Sequence, residues 1–129
     1  MQKNELRVNF YTRVLNTKLN LTMYFSDNDD IWVSSQIQNA WARLYKIGYL
    51  CVMEGAFTVP AGIAIVNLDL FNISNCGIFP SQQASFSLSS FGGGGGIGYI
   101  NNDGKVIFAI ETPGSSEWRF NFSFISTTL

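Results

Sequence analysis

A chain of 129 residues suits a single domain with a sizeable core, and 47% of it is hydrophobic against only 13% charged, well under the usual share of about 25%. Eight basic and nine acidic residues are spread thinly for a net charge of −1, so no basic cluster exists to neutralise phosphates and nucleic-acid binding is excluded. There is no histidine, which removes imidazole catalysis and most zinc chemistry, and two cysteines alone cannot hold a structural zinc.

The N-terminal residues lack the apolar core of a signal peptide, and no run approaches membrane-spanning length. The chain therefore reads as made in a cytoplasm with no membrane insertion, and Cys51 and Cys76 as reduced, small hydrophobes. Leu6-Arg7-Val8-Asn9-Phe10 and Leu19-Asn20-Leu21-Thr22-Met23-Tyr24-Phe25 alternate as half-buried strands do, split by a polar connection at Asn16-Thr17-Lys18. Asp27-Asn28-Asp29-Asp30 breaks the pattern as a solvated turn. Its oxygens suit calcium, but the glycine and distal glutamate of a calcium loop are missing, so no metal is assigned. A short strand is expected over residues 31–34.

Ile37, Ala40, Trp41 and Leu44 fall at helical spacings, yet the stretch is short and uncapped. Residues 43–57 form a long strand-like run interrupted by Gly48 and Gly55, glycines of the kind that mark a bulge or a bend. Pro60-Ala61-Gly62 is a turn. The run over 63–71 is apolar on both faces around Ala64-Ile65-Val66, which predicts a central strand. Ser85-Phe86-Ser87-Leu88-Ser89 alternates again. Gly93, Gly95 and Gly98 fit G-x-G-x-x-G, but a strand and a turn follow where a phosphate site needs a helix. Asp103-Gly104 predicts a two-residue hairpin turn with positive φ at both positions. In the last run Trp118, Phe120, Phe122 and Phe124 alternate with polar residues, writing one apolar face and one wet face.

Eight or nine short strands with turn signals between them predict an all-β fold, an antiparallel sandwich or Greek-key, jelly-roll-like barrel, in one domain. Residues 1–42 supply N-terminal strands and a connecting segment, and 43–129 the main β core. So few charges beside eleven Phe predict that part of the apolar surface is buried between subunits.

Glu54, Asp69, Glu111 and Glu117 are the only carboxylates placed for glycosidase-type pairing, and solvated strand ends explain them better, so the chain reads as no enzyme and needs no cofactor. Recognition falls to residues 27–41. There Asp29, Asp30, Trp32, Gln36 and Trp41 combine rings that stack on the C–H faces of a sugar with groups that bond its hydroxyls.

Several of these features occur together in Ile47-Gly48-Tyr49-Leu50-Cys51-Val52-Met53-Glu54-Gly55, then Asn75-Cys76-Gly77-Ile78-Phe79-Pro80-Ser81, then Ile97 to the Asp103-Gly104 turn and on to Phe108, and finally the aromatic strand 118–124 with Ile125-Ser126-Thr127. In that order they resemble, over residues 43–127, the C-terminal head domains of tailed-phage fibre and receptor-binding proteins, particularly those of siphophages of Gram-positive hosts. Of the segment that often reads Leu-Pro-x-Gly-Tyr-Arg-Pro there, this chain keeps the hydrophobic-Pro part. The resemblance implies a homotrimeric virion protein, made in the bacterial cytoplasm and assembled with other phage tail or baseplate proteins. Its partner would be a bacterial cell-surface polysaccharide. A structural virion protein and a free-standing carbohydrate-binding module are the alternatives. Binding residues vary with host in these heads, so none is carried across.

Overall fold

The computed structural model describes residues 21–111 and 117–129. The expected strand at Leu6-Arg7-Val8-Asn9-Phe10 and the connection after it lie outside the described residues. Within them run β1 (Thr22–Phe25), β2 (Trp32–Val33), β3 (Gln38–Ile47), β4 (Leu50–Thr58), β5 (Ile65–Asn72), β6 (Ala84–Ser90), β7 (Gly96–Ile100), β8 (Lys105–Ile110) and β9 (Glu117–Ile125). Every pairing is antiparallel, in the order β1-β3-β4-β9-β6-β7-β8-β5-β2. The fold is all-β.

The sheet curls because β6 serves two neighbours. Ala84 to Leu88 pair with β7, whereas only Ser89 and Ser90 pair with β9. The inner faces of the two halves then meet in a cluster of phenylalanines. Phe57 and Phe120 from one half approach Phe71 from the other at centroid distances of 6.0 and 5.2 Å. Phe86 lies flat on Phe122 at 4.3 Å. The alternation of β9 is met in full: Trp118, Phe120, Phe122 and Phe124 are all buried, and the polar residues between them face outward. Burying each such side chain contributes about 1.5–3 kcal/mol, which makes this strand a large contributor to the core.

Three expectations need correction, and one ambiguous spacing is explained. The helical spacing of Ile37, Ala40, Trp41 and Leu44 comes from a bulge in β3: Asn39 takes φ 50°, and the register with β4 slips between Gln38 and Trp41. One extra residue shifts the phase of alternation and imitates a helix. Gly48 does not bend a strand; with Tyr49 it forms the two-residue turn joining β3 to β4, where Ile47 faces Leu50. The run over 63–71 is not central. β5 is covered on one side by β8, but on the other only Phe71 and Asn72 pair, with the two-residue β2. It is apolar on both faces because Val66 stands 69% exposed on the outer one.

The third correction concerns the Asp-Gly turn. Asn101 N–H donates to the Lys105 carbonyl and Gly104 N–H to the Asn101 carbonyl, which makes a three-residue loop. Only Gly104 has positive φ, at 90°, the pattern of a type I turn followed by a left-handed residue. A Cβ on Gly104 would also lie 3.0 Å from the Ser74 nitrogen, so a side chain at position 104 is strained on two counts.

Candidate ligand-binding face

The outer face of β1, β3, β4, β9 and β6 is a grid that the register fixes row by row. One row reads Trp41, Ala56, Arg119, Ser89. The next reads Phe25, Arg43, Glu54, Asn121. Facing side chains in such rows lie within about 5.5 Å at Cβ, and Trp41 to Ser89 spans three strand spacings, about 14 Å. Ala56 is fully buried between its larger neighbours.

Trp41 is the wall between two grooves. On one side is a groove of about 500 Å³ lined by Met23, Phe25, Val33 and Ala40 together with Asp27, Arg43 and Tyr45. On the other lies a groove of about 360 Å³ lined by Glu54, Ser87, Ser89, Arg119 and Asn121 above Gly55 and Phe120. This second groove exists because β6 leaves β9. After the Ser89–Arg119 pair, Ser87 and Asn121 would come next in register, but β6 has turned to β7 and a cleft opens between them.

A short network holds the tryptophan in place. The Arg43 guanidinium sits 4.8 Å from the Trp41 ring centroid, a contact worth about 0.5–1 kcal/mol at an exposed site. Arg43 also pairs with Glu54 Oε1 at 3.6 Å, and the Tyr45 hydroxyl donates to the same oxygen at 3.0 Å. Arg119 pairs with Glu117 at 2.5 Å. The face therefore offers a pre-set aromatic ring, balanced charges and hydroxyl and amide groups, the chemistry that suits a neutral polyhydroxylated ligand.

Of the five residues expected from the sequence, Trp41 alone lines these grooves. Trp32 is 44% exposed on β2, at the opposite edge of the strand order. The Asp30 carboxylate accepts the Phe25 N–H at 3.1 Å and closes the turn after β1. Asp29 ends the 3-10 turn Ser26–Asn28 with φ 60°, and Gln36 is exposed beyond Ser34, whose Oγ takes its N–H. Sequence reasoning missed Arg43, Ser87, Ser89, Arg119 and Asn121. Their signal is the wet face of alternating strands, which becomes a site only once the strand order is known.

Among the carboxylates weighed for hydrolysis, Glu54 stands opposite Asn121 and Glu117 opposite Thr58. Four residues along the strands separate their backbones by about 13 Å, and each carboxylate is engaged by an arginine, Glu54 by Arg43 and Glu117 by Arg119. Asp69 and Glu111 belong to the other half of the sheet or its edge. Cys51 lies in the core, and burial raises its thiol pKa. Cys76 donates to the Asp30 carbonyl at 3.3 Å, and burial, helped by the Asp30 charge, pushes its thiol up to about 12. Neither thiol is an activated nucleophile. Among the described residues no group of three or more His, Cys, Asp or Glu is placed to hold a metal, and no helix is long and apolar enough to cross a membrane. No protein-family model and no curated protein matches this chain.

Proposed function

We propose that this protein is a non-catalytic adhesion domain of the phage tail-tip kind, which binds a bacterial cell-surface saccharide along the outer face of β3, β4, β9 and β6. The observation that carries the reading is Trp41, braced by Arg43 and set between two grooves that each mix apolar and polar groups. Sugars present C–H faces to a ring and hydroxyls to Ser, Asn, Arg and Glu, and the two grooves offer both kinds of contact side by side.

Stacking on one ring contributes about 1 kcal/mol, a factor of about five per site. With three sites engaged on one surface the factor multiplies to about a hundred. Trp41→Ala is accordingly expected to cut adsorption to host bacteria about a hundredfold while leaving the circular dichroism spectrum unchanged. Trp32→Ala, outside both grooves, should adsorb like the wild type. Equal adsorption by wild type and Trp41→Ala would contradict the reading, and folded protein that ignores every glycan offered would favour a virion protein that only assembles.

The same proposal takes the curled sheet as a two-layered sandwich that works as a homotrimer. The supporting feature is the outer face of the other half, where the bulge of β5 sets Val66 and Asn67 against Ala109, with Ile97 on the far side of Ala109. Val66 and Ile97 are 69% and 63% exposed, and a second copy of this chain would cover them while the Trp41 face stays free. Light scattering should give about 43 kDa, three copies of a 14.3 kDa chain, and Val66→Glu should reduce it to one copy. A wild-type mass of 14.3 kDa at micromolar concentration would remove the trimer.

A further inference from the structure

Lys46 lies on the opposite face of β3 from Trp41, between the partners Thr22 and Cys51, and is only 8% exposed. Its ammonium donates to the Gly48 carbonyl, which satisfies one of three N–H donors. Among the described residues no carboxylate reaches it: the ion pairs there join Arg43 to Glu54, Lys105 to Asp103 and Arg119 to Glu117. Asp30 accepts from the Cys76 thiol by its carbonyl and from the Phe25 N–H by its carboxylate, and its charge is felt at Cys76 and Tyr24, but it makes no ion pair with Lys46. A buried charge with one neutral partner is costly, and such charges are normally paired.

Beside Lys46 opens a cavity of about 560 Å³, lined also by Tyr24, Cys76, Ile78 and Thr128. Tyr24 and Thr128 bring hydroxyls; the phenol of Tyr24 is neutral at pH 7 in any case, and burial above all raises its pKa further, so that it is a donor. We propose that this cavity is an oxyanion site, in which Lys46, with the Tyr24 and Thr128 hydroxyls, receives a phosphate or carboxylate group. One ammonium and two neutral donors match a singly charged oxyanion. No Asp or Glu lines the cavity, and the α-carboxylate of Leu129, which also lines it, is the anion that a bound group has to compete with. The site lies on the other face of β3 from the saccharide grooves and does not depend on that reading.

The test is thermal melting of the full chain at constant ionic strength, with chloride exchanged for inorganic phosphate or for acetate. Phosphate at 10 mM should raise the wild-type Tm by about 3 °C and leave Lys46→Met unmoved. A rise with phosphate alone assigns a phosphate group; a rise with acetate as well assigns a carboxylate. An equal rise in both proteins, or none in the wild type, would overturn the proposal. Should Lys46→Met not fold, amide shifts of the wild type on adding phosphate decide: shifts gathered at Tyr24, Lys46, Gly48 and Thr128 support the site, and shifts elsewhere or none refute it.

Discussion

Phe120→Ala is expected to cost about 4 kcal/mol, out of the 5–15 kcal/mol that hold a domain of this size together. The ring touches five others, Phe57, Phe71, Phe86, Phe108 and Phe122, at centroid distances between 5.2 and 6.4 Å. These come from β4, β5, β6, β8 and β9, so truncation opens a cavity where the two halves of the sheet meet. The neighbours cannot collapse into it without moving strands that the ladder fixes. Urea denaturation should show a lowered midpoint with an unchanged slope. A loss under 1 kcal/mol would mean that the aromatic cluster is not the join between the halves.

Gly55→Val should cost about 3 kcal/mol and also damage the binding face. A Cβ at residue 55 would lie 2.6 Å from both the Trp41 carbonyl oxygen and the Phe120 Cζ. Neither neighbour has room to give, since one is backbone of β3 and the other a packed core ring. Phe120 would be driven into the core, and the β3 backbone that carries Trp41 would be pushed outward. The expected result is a lower Tm together with weaker glycan binding, in contrast to Trp41→Ala, which should lose binding alone. A stable Gly55→Val variant with normal binding would show that β3 and β4 are not held this closely.

The fold class was legible because alternation is a local property: each strand writes its own inner and outer face. β9 is the clearest case, with four buried aromatics at every second position. Where a residue breaks the period, local reading fails. The bulge at Asn39 made a strand look helical, and the left-handed Gly104 came with a three-residue loop rather than two. The depth of β5 in the sheet was hidden for another reason. An apolar outer face suggests a central strand, but Val66 is apolar and exposed.

The site was less legible still. Trp41 stands out in the sequence for its polar neighbours there, whereas its neighbours in space are Arg43 by alternation and Ala56 and Arg119 by strand pairing. Residues 41, 54, 87 and 119 meet on one groove only because β9, a late strand, inserts between β4 and β6. No spacing in the chain announces that insertion.

The measurement that bears most directly on the binding face is an amide-shift titration of the labelled protein with fragments of host cell-wall polysaccharide. Saturable shifts gathered at Trp41, Arg43, Ser87, Arg119 and Asn121, with the indole N–H of Trp41 moving most, are the predicted result. Shifts scattered over the surface, or confined to Val66, Ile97 and the glycine run, would contradict it.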